Sequence, residues 1–484
     1  MKVRELISRL KSANIDVSLS GTELEINFEG EELPEDILNE LKSKKNEIIE
    51  FLTQYSKSNE IHPIKGIERF PLSSSQRRLW VLSQFSNISA AYNISGTYEF
   101  QGRLNQEAFN LAFFAVIERH EILRTTFKED ENGNVFQYIY DALPSGLKLG
   151  YKDLRNFHSS NEEVQRLVSE QQRKSFDLFK GPLLNANLYQ LHDDHWVFSY
   201  VMHHIISDGW SMRVLIKELI LLYNSFVKDE KNSLSPLRIQ YKDYSVWQQT
   251  QLENEFLFGH KSYWNEQFKG ELPLLEVPTD RARPVFKTYN GKVVNLNIDL
   301  ALSQEIKSLT QKNGGTLFMG LLAMVNSLLF KYTNQTDIIL GSPIAGRNHV
   351  DLENQIGFYV NTLALRTKFQ VENSFLDLLN VVKKVTLDAF EHQVYPFDEL
   401  LEDLQLVRDM SRNPLFDIMV VLHNSGEAKS SAQQLGDLSV NQFEAPSTVT
   451  SKFDLTFTFT ESEEGIQLSL EYNTDLYNQT TIER

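Results

Sequence analysis

Residues 203–209 read HHIISDG, and the chain continues from 210 to 217 as WSMRVLIK. Two adjacent histidines, three spacers and an Asp-Gly turn lie between two contrasting patterns. Before them, HWVFSYVM (195–202) is a short, largely apolar run that reads as a buried strand. After them, Ser211 is an N-cap candidate for a helix carrying Met212, Leu215, Leu219, Leu222 and Phe226 on one stripe. Strand, turn and helix in direct succession place the chain in the α/β class. Successive side chains alternate along a strand, so His203 and His204 are expected on opposite faces with different tasks.

Each residue of this stretch has a chemistry of its own. An imidazole exchanges a proton near neutral pH, its unperturbed pKa being about 6.5. Asp208 can anchor a backbone amide or a cation through charge-assisted hydrogen bonds. Gly209 permits a tight turn, or close approach of a substrate to the backbone. Neighbouring histidines on a strand do not both reach one ion, and no zinc-like spacing of His, Asp or Glu accompanies them. A hydrolase triad lacks its G-x-S-x-G elbow. With no cysteine among 484 residues, thiolate ligands, thiol nucleophiles and disulfides are excluded, which fits a reducing cytoplasm. These residues alone leave open a satisfied structural pair or a histidine-dependent proton or acyl transfer.

Working outward, LNQEAFNLAFFAVIERHEIL (104–123) has helical spacing, with Phe109, Phe113, Val116 and Ile117 in register. Further on, TLFMGLLAMVNSLLFKYT (316–333) precedes DIILGSPIAGR (337–347), a helix followed by a strand that runs into a Gly/Pro loop. The helix-then-strand order repeats without letter-level identity, so two similar α/β lobes are expected, over 67–235 and 236–484. Rossmann and P-loop glycine patterns are absent. The segment 424–436 reads as a flexible excursion, and the last residues stop as a helix begins, as in a piece of a longer protein.

Residues 1–58 form a smaller unit. VRELISRLKSA (3–13) is a short amphipathic helix, and IDVSLSGTELEINF (15–28) alternates as a β-hairpin with Val17, Leu19, Leu24, Ile26 and Phe28 at period two. Helical stripes follow through Ile37, Leu38 and Leu41, then Ile48, Ile49 and Leu52, giving the order α-β-β-α-α. The polar stretch from 59 to 66 reads as a linker. A formal charge of −17 disfavours nucleic acid, whose phosphates need a basic surface. No apolar run approaches the ~18–20 residues of a membrane span, and the N-terminus lacks a signal-peptide core.

The HHIISDG stretch resembles the HHxxxDG motif of condensation domains from nonribosomal peptide synthetases, relatives of chloramphenicol acetyltransferase and other CoA-dependent acyltransferases. Six further segments are similar to the family's motifs, in the family's order: SSSQRRLWVL (73–82), RHEILRTTF (119–127), YKDYSVWQ (241–248), the long block 341–366, HQVYPFDEL (392–400) and 408–420. Ser75 stands where the family's first motif usually has Ala. The closest subtype resemblance is to domains that join an L-configured donor to an L-configured acceptor. The α-β-β-α-α unit resembles the β-hairpin docking domains at the front of some synthetase subunits, mainly in element order and length.

The resemblance implies two chloramphenicol-acetyltransferase-like lobes in a V-shaped pseudo-dimer, with the histidine motif at their junction. It implies amide formation between substrates tethered by phosphopantetheine to donor and acceptor carrier proteins, with no cofactor or metal bound by this chain. His204 would face the reaction, His203 would pack and orient the turn, and Asp208 would form a buried salt bridge. Arg347 is the first choice of partner, with Arg119 or Arg124 second. Gly209 would offer its N–H near the developing oxyanion, and Trp210, Ser342 and Asn361 would line the substrate passage, although Asn361 could equally satisfy backbone groups. Implied partners are the C-terminal tail of an upstream subunit on the docking hairpin, the two carriers, and a downstream adenylation domain in the same full-length protein. A free-standing CoA-dependent acyltransferase and a catalytically idle recruitment platform are the rival readings.

Overall fold

The alternation over 15–28 folds as an antiparallel hairpin of β1 (Ile15–Ser20) and β2 (Glu23–Phe28) in the computed structural model of the chain. The structure describes residues 6, 10, 15–20, 23–28, 35–50, 60–84, 89–141, 146–254, 257–407, 409–423, 437–443 and 450–484. Most of the helix expected over 3–13, Leu52, the side chain of Leu19 and the excursion at 424–436 lie outside them. The chain divides into two compact units, Met1–Pro63 and Ile64–Arg484.

In the N-terminal unit, Val17 pairs with Ile26 and Ile15 with Phe28, so the period-two apolar positions share one face. Along β2 the alternate residues Glu23, Glu25 and Asn27 are exposed. That face packs on Leu6, Leu10, Leu41 and Ile48, with Ile37 of the helix Glu35–Ser43 beside them.

The main unit begins with β3 (Arg69–Pro71), β4 (Asn93–Gln101), β5 (Thr125–Glu129), β6 (Val135–Ile139), β7 (Leu149–Asp153), β8 (Leu184–His192) and β9 (His195–His203). It continues with β10 (Gly291–Asp299), β11 (Asp337–Ile344), β12 (Asn361–Lys368), β13 (Ile418–His423), β14 (Ser439–Gln442), β15 (Leu455–Ser462) and β16 (Gly465–Asn473). One sheet has the order β14-β4-β9-β8-β7 and a second the order β10-β16-β15-β13-β11-β12. A small third sheet joins β3, β6 and β5. Helices and mixed sheets together make the chain α/β.

β9 is central in its sheet, and every residue from Trp196 to His203 is buried, which explains its continuous apolar run. The helices Gln106–Arg119 and Gly209–Val227 pack on each other and on this sheet through Phe109, which meets Phe198 edge-on at 5.1 Å. Two segments of the second half lie against the first. β14 pairs with β4 from Ser439↔Gln101 to Gln442↔Tyr98. In the helix Tyr241–Glu253, Gln248 accepts from the Ser74 amide at 2.9 Å, and Gln249 donates to the Leu72 carbonyl at 3.1 Å.

Among the described residues no single helix is long and apolar enough to cross a membrane. The helices Leu300–Lys312 and Leu317–Thr333 reach that length and composition only as a pair bent by 103°.

Candidate active site

The strand stops at His203, so strand alternation does not set the direction of the second ring. His204–Ile206 is a single 3₁₀ turn, and the second ring takes its direction from that turn. His203 closes the strand in extended geometry and caps the turn, its Nδ1 accepting the Ile205 amide at 3.1 Å. That bond puts the proton of a neutral His203 on Nε2, which is buried without a partner. Burial, and then the charge of Lys452, push the ring's pKa down to about 3.

His204 is oriented in the opposite sense. Its Nδ1 lies 2.8 Å from the Ser207 carbonyl, which can only accept, so the neutral ring carries its proton on Nδ1. Nε2 is left as a bare lone pair. Protein surrounds the ring, with Phe358 edge-on at 4.7 Å, yet part of its surface stays accessible. Burial first and Lys452 second hold its pKa well below that of a free imidazole.

The helix after the turn is capped by Asp208, not by Ser211. Asp208 has extended backbone (φ −134°, ψ 179°) and accepts the Ser211 amide at 2.8 Å, which leaves Ser211 inside the first turn. Asp208 is fully buried and collects further donors from the second half. Arg347 Nη2 lies 3.1 Å from Oδ1, and the Tyr359 amide donates to Oδ2 at 3.0 Å. Arg347 also donates to the carbonyls of Leu352 and, at 2.8 Å, Gln355, and its guanidinium sits 4.2 Å over the Tyr359 ring. The second-choice arginines are engaged elsewhere. Arg119 pairs with Glu218 at 3.0 Å, and Arg124 donates to the carbonyls of Ile117 and Glu118.

Residues 356–359 are fastened group by group to the first half and to the helix Tyr241–Glu253. His120 Nδ1 accepts the Ile356 amide at 3.4 Å, while its Nε2 meets Glu218 at 2.7 Å. Ser211 Oγ accepts the Gly357 amide at 3.0 Å, and Tyr241 donates to the Phe358 carbonyl at 2.8 Å. Tyr241 is itself 2.8 Å from Ser73 Oγ. Gln76, three residues on, donates to the Ile205 carbonyl at 3.1 Å and so holds the 3₁₀ turn from the other side. His120, Tyr241 and Gln76 carry no role in the sequence reading, and Ser211 carries only that of a helix cap. All four stand inside the quoted segments, but a brace between distant backbones has no local signature.

The remaining candidates separate by what their polar atoms do. Gly209 is exposed at the first helical position, its φ lies outside the left-handed region, and an added Cβ would meet nothing within 4 Å. The turn therefore does not require glycine. Trp210 donates to the Glu353 carbonyl at 2.8 Å. Ser342 is buried in β11 opposite Leu363. Asn361 spends its amide on backbone, donating to the Gln393 and Tyr395 carbonyls at 2.9 Å each and accepting from the Phe397 amide at 2.9 Å. No cluster of three or more His, Cys, Asp or Glu fit to hold a metal occurs among the described residues.

Comparison with known proteins gives this geometry a family. Residues 67–484 match the condensation-domain family model, and residues 3–54 match that of the TubC N-terminal docking domain. A component of the linear gramicidin synthase of Brevibacillus parabrevis is 42% identical over 445 residues, covering 90% of this chain and 9% of that protein. Gramicidin S synthase 2 of Brevibacillus brevis is 40% identical over 425 residues, covering 88% of this chain and 9% of that protein. The chain thus spans about a tenth of the length of these curated relatives. Among solved structures, the X-domain from teicoplanin biosynthesis in complex with OxyB superimposes with a TM-score of 0.79 at 26% identity, over 88% of this chain and 92% of that one. A four-domain nonribosomal peptide synthetase in its holo form, bound to AMP and glycine, shares the fold at a TM-score of 0.76 and 22% identity, over 88% of this chain and 33% of that one. On the family match across the whole main unit and the match of the leading residues, the chain belongs to the condensation-domain family of nonribosomal peptide synthetases and carries a docking domain of the TubC N-terminal type.

Proposed function

We propose that the chain forms an amide between two carrier-bound substrates, with His204 at the reacting centre and Gly209 beside it. In this reading residues 1–58 are the docking domain, 59–66 a linker, and 67–235 and 236–484 the two lobes. Val17, Leu24, Ile26 and Phe28 set the inner face of the hairpin, and a free hairpin edge takes the tail of an upstream subunit as an added strand. Carrier proteins bring donor and acceptor on phosphopantetheine to the junction of the lobes, and a downstream adenylation domain belongs to the same full-length protein. The enzyme works in the cytoplasm.

The observation that carries this reading is the orientation of His204: Nδ1 is tied to the Ser207 carbonyl, nothing among the described residues bonds Nε2, and the residue is only partly buried. The acceptor amine donates an N–H to Nε2 and attacks the donor thioester carbon. The C–N bond forms, the C–S bond breaks, and the amine's proton leaves for the departing thiolate. With its basicity depressed by burial, the ring holds and aims the amine more than it takes a full proton. Orientation of this kind is worth ~7–11 kcal/mol, against ~3–5 kcal/mol for a general base. The first helical amides, Gly209 among them, lack intrahelical partners and suit a developing oxyanion.

The test is single turnover with donor and acceptor loaded on carriers, beside the same acyl groups on CoA. Amide formation from carriers, lowered by roughly 10²-fold or more in His204→Ala, is expected. Turnover of CoA substrates alone favours a free-standing acyltransferase. An unchanged yield in His204→Ala favours an idle recruitment platform, and either result overturns the proposal.

A further inference from the structure

Lys452 brings a positive charge from the second half of the main unit to the histidine pair, and the chemistry above makes no use of it. Its backbone is fixed on several sides. The Ser451 amide donates to the Tyr289 carbonyl at 3.0 Å. The Lys452 carbonyl accepts from Lys287 Nζ and, at 3.2 Å, from Asn413 Nδ2. Ser451 Oγ donates to the Phe453 carbonyl at 2.6 Å, which fixes the turn on the other side of Lys452.

From this anchor the side chain reaches the first sheet, with Nζ 5.1 Å from the centroid of Tyr92. Tyr92 precedes Asn93, and Asn93 is the register partner of His203 in the β4–β9 ladder. The ammonium therefore lies beside the residue that leads into β4, the strand paired with β9 up to His203. Its field lowers the proton affinity of both rings, second only to burial.

The other charged groups leave that effect in place. Asp208, four residues from His204, is matched by Arg347, and Glu471 faces Lys452 without abolishing its charge. Burial brings Lys452 down to about 8, so the side chain is mostly cationic at pH 7. Lys287, on the Lys452 carbonyl, carries no negative charge, burial keeps Tyr92 protonated, and His203 is neutral there.

We propose that Lys452 is a positioning residue for the amine: a fixed cation that keeps His204 Nε2 unprotonated and disfavours a second cation, the ammonium form of the incoming substrate, at the same place. An α-amine has a pKa of about 7.7–8.0 and must lose its proton before it attacks. A neighbouring cation promotes that loss, as it does for amine nucleophiles elsewhere. The inference rests on the reading of His204 as the group that meets the amine.

Two readouts on the full chain keep the inference and that reading apart. One is the NMR titration of the His204 ring, which needs no substrate. The other is the pH profile of single-turnover amide formation. In Lys452→Met the ring titration and the acid limb of the rate move to higher pH, each by roughly half a unit or more, and in Lys452→Arg both stay with the wild type. Lys452→Gln serves if Lys452→Met does not fold. A folded, charge-free variant with an unmoved His204 titration overturns the inference. A moved titration in a chain that forms no amide from carriers overturns the proposed function and leaves the electrostatic relation standing.

Discussion

Asp208 and Arg347, 139 residues apart in the chain, meet at 3.1 Å with side chains 0% and 2% exposed. The contact joins the cap of the helix after the histidine turn to the loop that leads into β12. Because the same carboxylate also holds the Tyr359 amide and the helix N-terminus, its loss leaves a buried guanidinium uncompensated. Asp208→Ala is expected to cost ~3–5 kcal/mol in urea unfolding. A variant as stable as the wild type would show that the pair does not hold the halves together.

Gly209→Ala separates stability from chemistry. The added methyl meets no atom within 4 Å, so the unfolding midpoint should stay or rise, by up to about 1 kcal/mol. Amide formation should fall, because the methyl occupies the space through which a thioester approaches the helix amides. Unchanged single-turnover rates would remove Gly209 from the reacting centre.

Gly346, immediately before Arg347, is required for its backbone. Its φ is +64°, and a Cβ would lie 1.9 Å from the Tyr359 carbonyl oxygen. Gly346→Ala is therefore expected to displace Arg347 and destabilise the chain by several kcal/mol, as αL strain and backbone overlap add. Thermal unfolding measures it, and a wild-type midpoint would contradict the geometry of the loop.

The buried imidazoles fix the sign of the acid response. His203 is pushed down to about 3, and His120 and His204 are also lowered by burial. Below the unfolded value near 6.5 the unfolded chain binds more protons than the folded one, so stability falls as pH drops from about 6.5 towards 3. Asn keeps an acceptor for the Ile205 amide without a proton to gain, so His203→Asn should show a shallower loss between pH 7 and 5. An equal slope in both proteins would mean that His203 is not the titrating group.

Deleting residues 1–58 should leave amide formation from separately supplied carriers unchanged and abolish transfer from an upstream subunit. Undiminished transfer would show that the edge of the hairpin does not receive a partner strand.

Periodicity made the elements legible where burial is continuous. The apolar run before the histidines is β9, and the alternation over 15–28 is the hairpin. Local letters misled at the junction between elements. Ser211 has a capping side chain, yet Asp208 caps, because the chain turns three residues earlier and Ser211 is drawn inside to serve Gly357. His204 takes its direction from a 3₁₀ turn and not from strand alternation, because pairing with β4 ends at Asn93↔His203. Long-range pieces gave no signal at all. Nothing in residues 439–442 announces the edge of a sheet built from residues before 204, and Lys452 stands in none of the quoted segments.

That edge strand bears on recombination between synthetases. β14 is hydrogen-bonded to β4 but is encoded more than 200 residues after the rest of its sheet. A crossover placed anywhere between β9 and β14 therefore gives a hybrid whose first sheet takes its outermost strand from the other parent. Exchanges that transplant 64–484 intact avoid this mismatch, while half-domain grafts must also carry a compatible Ser439–Gln442.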